Sequence, residues 1–286
     1  MDLDATVAGT GYTTSYTEQA TGISISKTAQ TLITDVDDVN QESAEINLTN
    51  GQVGDVLTVT GSTTGFVVTN VKTGNNIKIT ITGSGTNAQY QTLINNIQFS
   101  NLTDDPNTTT RNVTVFVNDG NTNSNTATTL ITFSAVNDAP ILDLDASNLA
   151  STGFTSTYIE NAAGVQIADI DVSVTDPDDA NLSAAVVELT NWFSGDTIKV
   201  VGVLPAGITA STLQVGTKIT ITLTGSATKA DYETALEQIQ FSSTSDLSNT
   251  TDRVVTFTVN DGKVNSNTAI ATIKFPAVND LSLIHI

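Results

Sequence analysis

The sequence predicts an all-β protein made of two tandem antiparallel β-sandwiches of the Greek-key type, each with one short helix. The first observation is a long internal repeat: Val117-Asn118-Asp119-Gly120 returns as Val259-Asn260-Asp261-Gly262, an offset of 142 residues. The second is a set of short runs in which apolar and polar residues alternate, such as Lys78-Ile79-Thr80-Ile81-Thr82. The third is the clusters of Asn and Gly between these runs, such as Lys72-Thr73-Gly74-Asn75-Asn76. Many short strands with frequent turns favour a sandwich.

The length of the repeat predicts the domain boundaries. A solenoid unit has roughly 20 to 50 residues, so a repeat this long is a whole domain. We expect one module at residues 1–138 and a second at residues 139–280. Residues 281–286 break the repeat, and their codons can be read as the end of a transposon adapter used in sequencing libraries, so we expect a non-native tail. Further copies of the module are expected on both sides.

One segment in each copy has helical rather than strand periodicity. Thr228 and Asp231 are spaced as a capping box, and Tyr232, Leu236 and Ile239 follow at positions i, i+4 and i+7. Thr86, Gln89, Tyr90, Ile94 and Ile97 repeat this spacing in the first copy. We therefore predict one short helix per module, packed against an end or flank of the sandwich.

Composition excludes several classes of function. The chain has 30 acidic and 10 basic residues, a formal charge of −20, which repels nucleic acids and anionic membranes and attracts divalent cations. There is no cysteine, and the single histidine, His285, lies in the suspected tail. No apolar run approaches the roughly 20 residues of a membrane helix. We expect no enzyme activity, because the carboxylates adjoin turns instead of facing each other across a cleft.

The carboxylates of the second copy form the clearest candidate site. Asp176, Asp178 and Asp179 fall within four residues. Calcium takes six to eight oxygen ligands at about 2.3 to 2.6 Å, and such a loop supplies several of them. The alternative is that Asp and Asn side chains cap turns by accepting bonds from nearby backbone amides. Three adjoining carboxylates repel one another unless they are solvated or neutralised, which favours calcium.

Four segments carry a resemblance to a known family. They are Glu160, the loop Thr175-Asp176-Pro177-Asp178-Asp179-Ala180-Asn181, the closing segment Phe257-Thr258-Val259-Asn260-Asp261-Gly262 and the linker Val136-Asn137-Asp138-Ala139-Pro140. Together they resemble the strand-A glutamate, Asp-x-Asp loop and Asn-Asp-x-Pro linker of cadherins. The longer central segment, with its helix, is more similar to the cadherin-like tandem modules of very large bacterial surface adhesins.

The resemblance implies calcium ions between consecutive modules. The predicted ligands of the complete junction are Glu18, Asp104, Asn137, Asp138, Asp176, Asp178, Asn181 and Asp261. Half sites that await a preceding module would use Asp35, Asp37, Asn40 and Asp119. Half sites that await a following module would use Glu160, Asp246, Asn279 and Asp280. Ala135 stands where animal cadherins have the first Asp of the linker, which implies fewer ions per junction.

The sequence thus predicts a calcium-stiffened extender segment of a secreted or cell-surface adhesin. Its partners would be flanking copies of the same module, with surface glycans or proteins as targets. One alternative is a carbohydrate- or ligand-binding module centred on Trp192, although a packing role is favoured for this single tryptophan. A second alternative is an accessory domain of a large extracellular enzyme.

Overall fold

The computed structural model describes residues 1–245 and 249–276. The chain divides into two compact units, unit 1 (Met1–Val136) and unit 2 (Asn137–Ile286). Strands dominate both units, and each unit has one short helix, so the all-β prediction is confirmed. None of the helices in the described residues is long and apolar enough to cross a membrane.

Unit 1 contains nine strands and one helix. They are β1 (Tyr12–Thr17), β2 (Ile23–Ser24), β3 (Asn40–Leu48), β4 (Asp55–Val59), β5 (Val67–Thr73), β6 (Asn76–Thr86), α1 (Asn87–Asn95), β7 (Ile97–Asn101), β8 (Arg111–Asn118) and β9 (Ala127–Ser134). The larger sheet has the order β1-β9-β8-β3-β6-β5, and the smaller sheet has the order β2-β7-β4. The chain passes between the sheets from β3 to β4, whereas β5 and β6 form a hairpin within the larger sheet.

Unit 2 repeats this architecture and adds a short strand pair. Its elements are β10 (Ile141–Asp143), β11 (Phe154–Thr157), β12 (Val165–Gln166), β13 (Ser173–Thr175), β14 (Asn181–Leu189), β15 (Asp196–Val200), β16 (Thr209–Val215), β17 (Lys218–Thr228), α2 (Lys229–Glu237), β18 (Ile239–Ser243), β19 (Arg253–Asn260) and β20 (Ala269–Lys274). The sheets have the orders β11-β20-β19-β14-β17-β16 and β12-β18-β15, and β10 pairs with β13. In unit 1 the matching pair is reduced to a single bridge between Asp2 and Leu32.

One strand pair in each unit is parallel, whereas the other pairs are antiparallel. β1 runs parallel to β9, with Tyr12 opposite Thr129, and β11 runs parallel to β20, with Phe154 opposite Ala271. A parallel pair needs a long crossover connection, and here most of the unit lies between the two strands. The pairing places β1 and β11 at one edge of the larger sheet of their units.

The two helices begin as the sequence predicts. The Thr86 hydroxyl accepts a bond from the Gln89 amide, and the Gln89 side chain accepts one from the Thr86 amide. Thr228 and Asp231 form the same capping box in unit 2. Helix α1 packs against β3, β6 and β7, and α2 packs against β13, β14, β17 and β18. Ile239 lies beyond the end of α2, at the start of β18.

Alternating strand residues fill the core between the sheets of each unit. Strand β8 alternates strictly, with Val113, Val115 and Val117 buried, and β19 repeats this with Val255, Phe257 and Val259. Trp192 packs partly buried against the core of unit 2, and its indole N–H donates to the Asp196 carbonyl oxygen at 2.8 Å. The single tryptophan is therefore a packing residue.

Candidate metal centre

The loop after β13 in unit 2 is folded around the Asp176 carboxylate. Its Oδ1 accepts bonds from the backbone amides of Asp178 at 3.0 Å and Asp179 at 2.9 Å. This is the turn capping that Asp residues favour, so the capping interpretation accounts for this one oxygen. The capping also turns the loop back on itself, which brings the carboxylates of Asp176 and Asp179 together.

The other oxygen of Asp176 is not explained by capping. Asp176 is only 8% exposed, and its Oδ2 is buried without a hydrogen-bond donor among the residues that the structure describes. A buried carboxylate oxygen costs free energy unless a donor or a cation compensates it. One ligand oxygen each from Asp176, Asp179 and Asp261 lies within 4.8 Å of the others. This group, the Asp176 cluster, therefore has oxygen donors of the kind that a hard cation binds, and one of them, Asp176 Oδ2, has no hydrogen-bond donor in the described part of the chain.

The turn after β19 supplies Asp261 to the cluster. Its Oδ1 accepts bonds from the amides of Lys263 at 2.6 Å and Val264 at 2.7 Å, and its Oδ2 accepts one from the Asn137 side chain at 2.7 Å. Burial acts to raise the pKa of Asp261, but the bonds from Asn137, Val264 and Lys263, together with the Lys263 charge, outweigh it and lower the pKa. Asp261 therefore stays ionised at neutral pH.

The first two residues of unit 2 join the same region. Asn137 contacts Asp261, and the Asp138 amide donates to Asp178 Oδ2 at 2.5 Å. The structure thus brings together five of the predicted junction ligands, namely Asn137, Asp138, Asp176, Asp178 and Asp261. Asn181 begins β14 opposite Thr228 and is exposed.

Two lysines also reach this loop, and the sequence-based prediction did not include them. Lys263 Nζ donates to Asn137 Oδ1 at 2.7 Å and to Asp179 Oδ2 at 2.9 Å. The bond to Asp179 and the charges of Asp179, Asp261 and Asp178 raise the pKa of Lys263. Lys229, at the start of α2, donates to the backbone carbonyl oxygens of Asp176 and Asp179, both at 2.8 Å. An offset of 142 aligns these lysines with Asn121 and Asn87, which is the signal that could have revealed them.

Unit 1 contains the equivalent loop at Asp35, which was predicted as a half site. Asp35 Oδ1 accepts bonds from the amides of Asp37 and Asp38, both at 3.3 Å, and Asp119 Oδ1 accepts bonds from Asn121 and Thr122, both at 2.7 Å. Both carboxylates line a cavity of about 320 Å³.

The carboxylates that line this cavity shift one another's pKa. The amides of Asp38 and Asp37 lower the pKa of Asp35. A hydrogen bond to Asp35 and the charge of Asp35 raise the pKa of Asp37. The described lining residues include no lysine or arginine. Asn40, the remaining predicted ligand, begins β3 and is exposed.

Glu18 and Asp104 are the predicted junction ligands that lie in unit 1. Glu18 is 4% exposed, and its Oε2 accepts a bond at 2.7 Å from the amide of Val136, the last residue of the unit. Asp104 is exposed in the bend after β7 and belongs to none of the three-carboxylate groups found in the described residues. Glu160, which matches Glu18 in unit 2, is half-buried after β11. Asp246, Asn279, Asp280 and the suspected tail at residues 281–286 lie outside the described residues.

A second acidic group in unit 2 was not predicted. Ligand oxygens of Asp145, Asp169 and Asp171 lie within 4.8 Å of one another. Asp145 Oδ1 accepts a bond from the Ser147 hydroxyl at 2.7 Å, and Asp171 Oδ2 accepts one from the Ser147 amide at 2.9 Å. Asp145 follows β10, whereas Asp169 and Asp171 precede β13, so the group joins two separate segments of the chain.

Comparisons with known proteins return structural likeness only. No family model matches the chain, and no curated protein matches it. Mouse cadherin-23 EC22-24 is 14% identical over 96% of this chain, with a TM-score of 0.37. Human CDH23 EC21-23 is 15% identical over 92% of this chain, with a TM-score of 0.31. The human desmocollin-1 ectodomain is 11% identical over 96% of this chain, with a TM-score of 0.28.

These structures are longer than the present chain. The matches span 66% of each of the two cadherin-23 structures and 41% of the desmocollin-1 ectodomain. The sandwich fold described above rests on the strand order within each unit and not on these TM-scores.

Proposed function

We propose that this chain is a calcium-binding extender segment of a secreted or cell-surface adhesin. Unit 2 would hold calcium through its Asp176 cluster, and the ion would stiffen the junction that begins at Asn137. The buried Asp176 Oδ2, which has no donor in the described part of the chain, is the observation that carries the proposal. Asp178, Asp261 and the two linker residues Asn137 and Asp138 complete the oxygen donors on this unit.

The chain connectivity supports a role for Glu18 at the same junction. Glu18 binds the amide of Val136, and Val136 is bonded covalently to Asn137, which contacts Asp261. Carboxylates that flank a linker repel one another, and a divalent cation bound among them converts this repulsion into attraction. Calcium binding at the junction would therefore favour an ordered linker over a flexible one.

The size of the effect follows from mass action. Extracellular calcium modules have Kd values of about 10⁻⁴ to 10⁻³ M. A tenfold excess of calcium over Kd stabilises the folded state by about 1.4 kcal/mol per site, through RT ln(1 + [L]/Kd). Millimolar calcium outside a cell reaches this regime, and cytosolic levels do not.

The proposal assigns the chain a mechanical rather than a catalytic role. Its partners would be neighbouring copies of the same module, and the target of the whole adhesin would be a surface glycan or protein. The packing of Trp192 against the core of unit 2 does not favour the carbohydrate-binding alternative, since a sugar platform needs an exposed aromatic face.

The test is a thermal melt of the full chain in excess chelator, in millimolar calcium and in millimolar magnesium. We expect calcium alone to raise the melting temperature. The double variant Asp176→Asn, Asp178→Asn should lose most of this rise. Glu188→Gln combined with Asp252→Asn is the matched control, because it removes two charges from surface ion pairs of the same unit.

Two results would contradict the proposal. In the first, the wild-type chain melts at the same temperature in chelator and in calcium. In the second, calcium stabilises the Asp176→Asn, Asp178→Asn variant as much as the control. Either result would leave the acidic loop with a turn-capping role alone.

A further inference from the structure

We propose that Lys263 is a tethered counter-ion of the Asp176 cluster, which competes with calcium and weakens calcium binding by unit 2. The inference rests on the proposed calcium function and adds the residue that sets the affinity of the site. Lys263 would fill part of the site when calcium is absent and would withdraw when calcium binds.

The contacts of Lys263 are to the atoms that a calcium ion would use. Its ammonium group bonds Asp179 Oδ2 at 2.9 Å, and Asp179 is a member of the Asp176 cluster. It also bonds Asn137 Oδ1 at 2.7 Å, an amide oxygen of the kind that calcium coordinates. An ammonium group and a divalent cation repel each other at this range, so the two cations compete for the same oxygens.

The backbone of Lys263 holds the ammonium group near the cluster. Its amide donates to Asp261 Oδ1 at 2.6 Å, so the side chain starts from a turn that is itself part of the site. The side chain is 58% exposed, and the ammonium group can swing into solvent without unfolding the turn. Displacement of the Lys263 side chain therefore disturbs little of the surrounding structure. A group that exchanges with calcium has to be able to leave the site in this way.

Unit 1 shows the same turn without the lysine. The offset of 142 places Asn121 where unit 2 has Lys263, and the Asn121 amide donates to Asp119 Oδ1 as the Lys263 amide donates to Asp261 Oδ1. Asn87 likewise replaces Lys229. The described lining of the unit 1 cavity has no basic residue. The acidic loop of unit 2 is thus in contact with a lysine ammonium group, whereas the acidic loop of unit 1 has no lysine or arginine among its described lining residues.

The ordinary alternative is a surface ion pair with no effect on metal binding. Lys263 and Asp179 are both partly exposed, and many such pairs contribute little. The additional bond to Asn137 and the position of Asp179 within the Asp176 cluster distinguish Lys263 from the lysines in other surface pairs, such as Lys274 with Asp252. The two interpretations predict different calcium affinities after substitution.

The test is a calcium titration of the full chain by calorimetry at about 0.15 M salt. Asp35→Asn, Asp119→Asn and Asp145→Asn are present in every protein, so that the acidic loop of unit 1 and the Asp145 group of unit 2 are both disrupted and the Asp176 cluster is the site under test. Lys263→Asn installs the residue of unit 1, and Lys263→Gln is a second neutral variant of similar length. Lys263→Arg keeps the charge, and Lys274→Asn removes a lysine from a surface pair elsewhere in the unit. Melting temperatures in chelator check that each variant folds.

We expect Lys263→Asn and Lys263→Gln to bind calcium about 5- to 30-fold more tightly than the background protein, a usual size for coupling between two ligands. Lys263→Arg and Lys274→Asn should stay within about twofold of it, since the first keeps a cation in place and the second changes only the overall charge. As the reciprocal test, Asn121→Lys in a chain with Asp176→Asn and Asp261→Asn should weaken calcium binding by unit 1.

The outcomes separate this inference from the proposed function. The first possible outcome is that the background protein binds calcium and Lys263→Asn binds it no more tightly than Lys274→Asn. This result would contradict the proposed competition by Lys263 and would still support a calcium site in unit 2. If neither the background protein nor Lys263→Asn binds calcium, the proposed function of the unit 2 site is overturned as well. If only the neutral variants bind, the competition is supported, and the proposed calcium function of unit 2 in the natural chain is overturned because Lys263 then takes the place of calcium.

Discussion

Arg253 and Asp196 form a buried ion pair in the core of unit 2, with Nε 2.6 Å from Oδ2 and side-chain exposures of 1% and 0%. The Arg253 guanidinium also lies over the rings of Phe193 and Phe275, at 4.2 and 4.1 Å from their centroids. Unit 1 repeats the arrangement with Arg111 and Asp55, also at 2.6 Å. In a chain without cysteine, this pair joins β15 of the smaller sheet to β19 of the larger one.

We expect Asp196→Ala to destabilise unit 2 by about 3–5 kcal/mol, because it leaves the Arg253 charge buried without a partner. Urea unfolding followed by Trp192 fluorescence measures the effect, since the single tryptophan reports on unit 2. Glu188→Ala, which breaks the more exposed pair with Lys218, should cost at most about 1 kcal/mol. Equal losses of unfolding free energy for Asp196→Ala and Glu188→Ala would show that burial of the Arg253 pair does not increase its contribution to stability.

The capping box of α2 gives a second prediction. The Thr228 hydroxyl accepts a bond from the Asp231 amide at 3.1 Å, so Thr228→Ala should destabilise unit 2 by about 1 kcal/mol. Thr234→Ala, at an exposed position inside the same helix, should be neutral or slightly stabilising because alanine has the higher helix propensity. Fluorescence-detected urea unfolding compares the two variants. If Thr228→Ala leaves the unfolding free energy unchanged, the capping box does not stabilise α2.

Glu237, at the end of α2, predicts a dependence of stability on pH. Burial and the charges of Glu233, Asp169 and Asp171 raise the pKa of Glu237 above its ordinary value of 4.5. A raised pKa in the folded state means that ionisation costs stability, which is lost as pH rises through the folded pKa. We therefore expect Glu237→Gln to stabilise unit 2 at pH 7 and to change little at a pH below the ordinary value.

Salt provides the control for this effect. The Debye length falls to about 3 Å at 1 M salt, so the repulsive part of the gain from Glu237→Gln should shrink there. Unfolding measured at pH 7 and at about pH 3.5, each at low and high salt, tests both parts. A gain of equal size at both pH values would mean that the carboxylate charge is not its cause.

The backbone of strand β17 at Gly225 requires a residue without a side chain. Gly225 has a φ of +136°, and a Cβ placed there would lie 1.8 Å from the Gly207 carbonyl oxygen. Gly225→Ala should therefore destabilise unit 2 by about 3 kcal/mol through a forced backbone shift. Gly216→Ala has open space and a φ of +58°, so it should cost only about 1 kcal/mol. Similar losses of unfolding free energy for Gly225→Ala and Gly216→Ala, measured in denaturant, would contradict this prediction.

Local signals in the sequence were sufficient for most of the fold. The alternation in Lys78-Ile79-Thr80-Ile81-Thr82 predicts a half-buried strand, and the spacing of Thr228 and Asp231 predicts the start of α2; the structure confirms both. These features depend on residues within a few positions of one another. The acidic loop at Asp176 could also be recognised, because turn-forming carboxylates are adjacent in the chain.

Contacts between distant residues were not predictable in this way. No local pattern around Asp55 and Asp196 identifies their partners, and only packing shows that each compensates an arginine about 56 positions later. Lys263 reaches Asn137 across 126 positions, and the parallel pairing of β11 with β20 spans almost the whole of unit 2.

The sequence by itself determined the repeat, the strand and helix segments and the positions of the carboxylates, because each is encoded by periodicity or by neighbouring residues. Only the tertiary structure decided which carboxylates share a site, which oxygen of Asp176 lacks a donor and which cation stands beside Asp179. Those properties depend on burial and on distances between segments far apart in the chain, and the free energy of a charge is set by those surroundings.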